Sequence, residues 1–370
     1  MSRRRGKALP SRMPVVVGDE SLPEGTVSVV VPVLNAARTL PACLAAVAQL
    51  DPRPMEILFV DNGSVDGSPS IIHAFQRDHP SFPVRVLTEP RRGAASARNT
   101  GIQTAKGDVI VLMDADCAPE RRWLHYLILP FENPETGAVA GRVTSAPATS
   151  TVELFSALYT LQLPPYPQRS TRWTPWEGGY VTANFSVRTS ILKDIGGIDE
   201  ASVGGTAAGS DYDLCARLYK RGHVVVYAPE AVVVHYHRTT VRGMMRQAFD
   251  YGESHAYLLG RRWARGLWIE SPFAYRSWPE CPVHAWVNLV GADKKVMAIL
   301  MLGVCIRSAL WLLPLYGIWL AILTGRRARA SGAAGSVGTG LALAGLLLVK
   351  SGAMTMGRWY GSVKYGVCCF

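Results

Sequence analysis

The chain has 370 residues, of which 48% are hydrophobic and 18% charged, and a formal net charge of +11 at pH 7. That composition excludes a stapled miniature and a low-complexity disordered polymer, and leaves room for one large domain with an appendage. The seven cysteines are scattered without a C-x-x-C pair, which argues against a disulfide framework or a cysteine-built zinc site and fits a reducing compartment. Whether Cys368 and Cys369, at the C-terminal end, carry a lipid or stay unmodified is open at this level.

Positive charge gathers at residues 3–7, 261–265 and 326–329, outside the stretches that read as core. Such a distribution points to an anionic membrane surface more than to an acidic substrate. No nucleic-acid-binding motif accompanies it, so no nucleic-acid partner is expected. The first arginines are followed by Pro10, Pro14, Asp19 and Glu20 in place of an apolar run. Residues 1–24 therefore read as a disordered basic tail and not as a signal peptide.

From residue 27 the chain alternates short β-rich apolar runs with helical segments, the α/β signature. VSVVVPVLN, which contains Pro32, precedes a segment in which Leu40, Leu44, Val47 and Ala48 recur at helical spacing. MEILFVDNGSVDGS ends its strand at Asp61, whose carboxylate can accept a hydrogen bond from a base or ribose; Gly63 and Gly67 permit tight turns behind it. An ordinary strand-to-helix turn would use the same residue types. Next, Gly93 opens a helix carrying Ala94, Ala97, Arg98 and Asn99, which leads into VIVLMDADCAPE. Here an uninterrupted apolar run ends in Asp114 and Asp116, where open α/β sheets bind ligands. On extended backbone, carboxylates at i and i+2 point to one side and can address one hard divalent cation. An Asp-rich turn capping the next helix is the competing reading.

Downstream, a glycine-rich loop over residues 204–209 delivers Asp211 and Asp213 to the start of a helix, where the backbone dipole alone accounts for one acidic residue. VVVYAPEAVVVHYHR predicts a strand ending in His235. His237 shares its side if Tyr236 points away, and Arg238 would suit a phosphate.

The ordered set VVVPVLN, VDNGS-x-DGS, G-x-x-x-A-R-N-x-G, A-x-G-D and L-M-D-A-D resembles the nucleotide-binding half of a family 2 glycosyltransferase with the GT-A fold, over residues 27–262. The resemblance implies an α/β fold, a Rossmann-like mixed sheet flanked by helices, with a nucleotide-sugar-binding half at 25–145 and an acceptor-binding half at 146–262. It assigns Pro32, Asp61, Arg98, Asp114 and Asp116 to the donor, with Asp116 the more direct ligand of a Mg²⁺ or Mn²⁺ ion, Asp114 beside it, and His235 recruited to the metal or diphosphate. Residues 182–199 resemble N-F-x-x-R followed by G-G-F-D-E, with Ile198 in place of the aromatic, which puts Asn184 on the acceptor side. The family's Glu-Asp pair reads Ser210-Asp211 here. The implied base is Asp211, with Asp213 as the substitute, acting as a carboxylate of ordinary pKa. Trp173 and Trp176 either stack on an acceptor sugar or anchor their loop, and Arg246 and Tyr251 fall on a helix that closes over the donor.

The C-terminal region, 263–370, contains two uncharged or nearly uncharged stretches, 296–323, interrupted by Arg307 and Pro314, and 331–349. The first is long enough to cross a bilayer. Two spans would put the arginines at 326–329 opposite the catalytic domain, although sugar nucleotides are cytosolic and basic loops prefer the cytosol. Alternatively the helices are re-entrant or interfacial, or the basic residues before them outvote the loop, or both segments cover a soluble sheet face. The expected function is inverting, metal-dependent transfer of one sugar from a nucleotide donor to a lipid-linked or cell-envelope acceptor hydroxyl, at a cell membrane with the catalytic domain facing the cytoplasm. The Q-x-x-R-W signature of processive synthases is absent. The rivals are a non-catalytic sugar-nucleotide or lipid binder and a nucleotidyltransferase, which would carry glycine after its first strand where this chain has VPVLNAARTL.

Overall fold

The computed structural model describes residues 27–160, 166–171, 179–201, 208–263, 265–333 and 335–370. In chain order they form β1 (Val27–Val33), α1 (Leu40–Val47), β2 (Glu56–Asp61), α2 (Ser68–Asp78), β3 (Val84–Thr88), α3 (Ala94–Thr104), β4 (Val109–Met113), β5 (Cys117–Pro119), α4 (Trp123–Ile128), β6 (Thr136–Ser145) and α5 (Thr151–Tyr159). There follow β7 (Gln168–Ser170), β8 (Asn184–Arg188), α6 (Thr189–Asp194), α7 (Ser210–Lys220), β9 (Val224–His235) and α8 (Val241–Arg262). The remainder is β10 (Gly266–Glu270), β11 (Tyr275–Trp278), β12 (His284–Asn288), α9 (Ala292–Cys305), α10 (Leu312–Ala330), α11 (Val337–Tyr365) and β13 (Cys368–Cys369).

The main sheet runs β3-β2-β1-β4-β8-β6-β9-β5, with β7 alongside β9. Strands β1 to β4 are mutually parallel, and β8 enters antiparallel between β4 and β6. This is the mixed α/β sheet expected from the alternation of strand and helix. Strand β4 is buried at all five positions because helices cover both faces of the sheet; that is why its sequence is continuously apolar and not alternating. One core layer packs Val29, Val31, Phe59, Val111 and Trp123, and the other Val30, Leu58, Ile110, Phe185 and Leu214.

The sheet positions the later site through one local irregularity. Strands β6 and β9 run in parallel register until Gly141↔Ala228, then resume at Arg142↔Val232. The Asn184 amide fills that bulge, donating to the carbonyls of Arg142 and Ala231 and accepting from the Trp123 indole at 2.8 Å. A Cβ on Gly141 would lie 2.3 Å from this amide, so the glycine makes room for it. Asn184 is fully buried. The acceptor-side role expected for it is therefore corrected: it is a strut that holds three strands together. Replacing it with Leu leaves three buried polar groups unpaired and should cost about 3 kcal/mol of stability. Denaturant unfolding would measure this loss, and KM for an acceptor should not move.

The C-terminal region forms a second sheet, β11-β10-β12-β13, and the three helices α9 to α11. The apolar stretch at 296–323 is not one helix. It breaks at Ile306, passes through a 3-10 turn at Arg307–Trp311, and restarts as α10. Pro314 falls in the first turn of α10, where a missing N–H is tolerated, and the break in the apolar stretch lies ahead of it.

Candidate active site

The cleft lies at the carboxyl ends of β1, β2 and β4, where the loops after the strands converge. Pro32 sits near the end of β1, half-buried, opposite Val60 in parallel register, and Asp61 closes β2. Among the described residues the Asp61 carboxylate accepts from the Ser64 amide, at 3.3 Å, and it stays partly exposed. Its neighbours in the same motif have structural duties. Asp66 accepts from the amides of Ala37 and Ser68, and buried Asn62 ties the loop to the Glu89 and Arg91 carbonyls and the Gly93 amide. Asn35 takes a positive φ of 51° to receive the Val65 amide.

Asp114 and Asp116 depart from the extended arrangement expected of them. The chain turns between them, closed by a hydrogen bond from the Cys117 amide to the Asp114 carbonyl, so the two carboxylates meet different partners. Asp114 pairs with the Arg98 guanidinium at 2.5 Å. Asp116 is carried by β5, whose antiparallel register sets Cys117 opposite His235; the Tyr236 amide then binds the Asp116 carbonyl at 2.8 Å. That pairing places His235 Nε2 3.4 Å from the Asp116 carboxylate, a proximity across more than a hundred residues. Desolvation by the cleft walls raises the Asp116 pKa, and the Asp114 charge adds to it against the pull of His235 and Arg238.

Asp116, Cys117 and His235 bring three potential ligand atoms within 4.8 Å of one another. The Cys117 thiol is held well above its ordinary pKa, first by burial and then by the adjacent carboxylates, so it stays neutral and points a weak S–H donor at Asp116. The other two suit a hard divalent cation that completes its shell with water and phosphate oxygens. His235 Nδ1 is buried without a hydrogen-bond partner among the described residues, so the ring has binding capacity to spare. The residues present therefore fit such an ion.

Arg98 supplies a second unmet demand. Its side chain is 2% exposed, and of its three nitrogens only Nη2 has a partner among the described residues. A buried guanidinium with two idle donors favours an anion able to take several hydrogen bonds, as a diphosphate does.

Across the cleft, Gly209 adopts φ of 80° and starts α7, with Asp211 in the first turn. A side chain on Gly209 would collide with Ser254 of α8, so the glycine both turns the chain and allows α7 to approach α8. Among the described residues Asp211 accepts from the amide of Tyr212, at 2.9 Å, and its carboxyl is pushed up to about 6, chiefly by burial, with Arg98 opposing. The ordinary carboxylate pKa expected for this residue is thereby corrected. Asp213, the expected substitute, is fully buried and held by Arg217 at 2.7 Å and by Arg262. It locks α7 to α8 and has no free edge for an acceptor. Asp199 joins the same lock through the Tyr257 hydroxyl at 2.6 Å, and Glu200 accepts from Arg91, Ser96 and Asn99.

Tyr251 on α8 lies within electrostatic reach of Asp211 and Asp114, as does Arg238 of Asp116. The rings of His235 and His237 are 4.7 Å apart, so both share one side of the chain. His237 is neutral, its pKa lowered to about 4 by burial and by His235, and its Nε2 pairs with Ser145 Oγ at 2.7 Å while Arg38 binds its carbonyl. Ser145 and Arg38 carry no local sequence signal; β6–β9 pairing brings Ser145 here, and Arg38 reaches from the turn before α1. Trp173, Trp176 and most of the 204–209 loop lie outside the described residues.

Residues 28–196 match the family model described as glycosyl transferase family 2. A pre-mycofactocin glycosyltransferase of Mycobacterium tuberculosis is 32% identical over 64% of this chain and 48% of its own length. Glycosyltransferase AglE of Haloferax volcanii is 26% identical over 66% of this chain and 79% of its own. The chain thus spans about half the length of the first of these relatives. Among solved structures, the mannosyltransferase PcManGT from Pyrobaculum calidifontis, in complex with GDP-Man and Mn²⁺, aligns over 91% of this chain and 86% of its own with a TM-score of 0.53 and 20% identity, a likeness of fold.

Proposed function

We propose, from the match of residues 28–196 to the glycosyl transferase family 2 model, that the cleft of this chain transfers one sugar from a nucleoside-diphosphate donor to an acceptor hydroxyl with inversion. The observation that carries this reading is the convergence of a buried arginine with idle donors, an adjacent Asp116–His235 pair and a second carboxylate with a raised pKa, Asp211, on one site. In this reading Pro32 and Asp61 face the nucleoside, and Arg98 takes the diphosphate while Asp114 orients the guanidinium from below. Asp116 and His235 would hold a Mg²⁺ or Mn²⁺ ion; bound there, such a cation offsets the negative charge gathering on the leaving diphosphate. Asp211 removes the proton from the acceptor hydroxyl as that oxygen attacks the anomeric carbon from the face opposite the leaving group. One base and one displacement give inversion.

Two apolar segments, the 3-10 turn with α10 over Arg307–Ala330 and α11 over Val337–Tyr365, are long and apolar enough to cross a membrane, and both are mostly exposed, unlike the core helix of a soluble protein. With the basic clusters they support an acceptor that is lipid-linked or part of the cell envelope, reached at the cytosolic membrane face. Titration calorimetry with UDP, GDP and dTDP, each with Mn²⁺ and with chelator, tests the donor assignment. One nucleoside diphosphate should bind with the cation and lose most of its affinity without it. Absence of binding by all three in either condition would refute the reading.

A further inference from the structure

We propose that α9, α10 and α11 lie in the plane of one anionic leaflet as a monotopic platform, with no segment crossing the bilayer. This rests on the membrane association proposed above and fixes its topology. The first observation is that the apolar helices are tied to one another and, through α10 and α11, to the catalytic domain. At the start of α9, Asp293 accepts from Ser351 and Thr355 of α11, and Lys294 donates to Thr355 at 2.8 Å. The chain runs out to Cys305, reverses through the 3-10 turn so tightly that a Cβ on Gly303 would meet Leu310, and comes back. By Tyr316 it has returned to its starting level, where the phenol donates to the Ala292 carbonyl at 3.3 Å. Fourteen residues of α9 rise roughly 21 Å, less than the roughly 30 Å of a hydrocarbon core.

The far end of α10 does not leave the domain either. The Arg327 guanidinium lies 4.6 Å over the Tyr159 ring of α5, and Ala328 packs in a cluster with Phe155, Leu158 and Met244. The arginines at 326–329 are therefore on the catalytic side, which dissolves the conflict that two spans would create. Helix α11 is seated along its length. Lys350 donates to the Tyr159 carbonyl at 2.9 Å, and Lys364 binds Glu253 of α8 at 2.8 Å. Between them Gly357 and Gly361 face Gly252 and Ala256 so closely that a Cβ on Gly357 would lie 2.0 Å from the Phe249 carbonyl.

The second observation is that apolar exposure falls on stripes and not all round. At the end of the 3-10 turn and along α10, Trp311, Leu315, Ile318 and Ile322 recur at helical spacing and are exposed, while Leu320, Thr324 and Ala328 are buried. On α11, Leu341, Val349, Met356, Tyr360 and Val363 form the matching exposed stripe opposite the face seated on α5 and α8. A spanning helix needs lipid-compatible residues on every lipid-facing side, whereas a helix with one face on a polar domain lies along a surface. Exposed Trp311, Trp319 and Trp359 suit the boundary of headgroups and acyl chains, and in this orientation Arg307 stays at headgroup level. The rim arginines Arg326 and Arg329 complement anionic headgroups.

The test uses the full chain with Cys281, Cys305 and Cys368 changed to Ser, carrying either Ser331→Cys, between α10 and α11, or Asp78→Cys, on the catalytic domain surface. Flotation with phosphatidylglycerol liposomes is scored first; failure to float refutes the membrane reading and this topology with it. In sealed vesicles with the catalytic domain outward, the S331C thiol should react with a membrane-impermeant maleimide as fully as the D78C thiol, without permeabilisation. Protein that floats but whose S331C thiol reacts only after permeabilisation would overturn the platform and establish two spans, leaving the membrane association standing.

Discussion

An Asp211→Asn variant should retain its fold and donor affinity while losing on the order of 10³-fold in kcat, the scale of a general base in a displacement. The asparagine keeps the size and the hydrogen bond from the Tyr212 amide, so α7 starts as before. What disappears is the site for the proton released by the acceptor hydroxyl. The same assignment fixes a pH dependence. With its pKa raised to about 6 by burial, Asp211 is an active base when deprotonated, so kcat/KM should fall tenfold per pH unit below about 6 and level off above it. The variant should lose that limb. Asp213→Asn should behave differently, loosening the ion pairs with Arg217 and Arg262 and lowering stability, with the acid limb of the pH profile intact.

The second large effect is expected from Asp116→Ala. Its carboxylate is the one oxygen ligand in the described cluster of Asp116, Cys117 and His235. Both donor affinity and turnover should fall, with kcat/KM down by about 10³ or more, because cation and diphosphate bind together and the charge they neutralise grows as the glycosidic bond breaks. His235→Ala should be milder, about 10- to 100-fold in metal affinity, and partly recovered at high Mn²⁺. Equilibrium Mn²⁺ binding in the presence of nucleoside diphosphate separates the two.

How far this was legible in the chain follows from what is local and what is not. Strands β1, β2 and β4 are short apolar runs bounded by polar turns, so periodicity marked them, and the order of the motifs after them marked Asp61, Arg98 and Asp116. The turn between Asp114 and Asp116 was not legible, because its closure depends on β5 being captured by the end of β9. Asn184 was put on the acceptor side by its place in the N-F-x-x-R pattern; its setting is a bulge assembled by β6 and β9, remote in sequence. The burial that raises Asp211 is a property of the folded site and equally invisible in the local pattern. The hydrophobic C-terminal stretches were recognisable by composition, whereas their return to α5 and α8 depends on glycine contacts that no window of hydropathy contains.

The distinction that matters most is between a catalyst and a protein that only holds a sugar nucleotide. Nucleotide release from UDP-, GDP- and dTDP-sugars, with membrane lipid extract as acceptor, draws it directly when run with Mn²⁺, with Mg²⁺ and with chelator. The proposed mechanism predicts cation-dependent release from one donor, lost in Asp116→Ala and nearly lost in Asp211→Asn. Tight nucleotide binding with no release from any donor would contradict it.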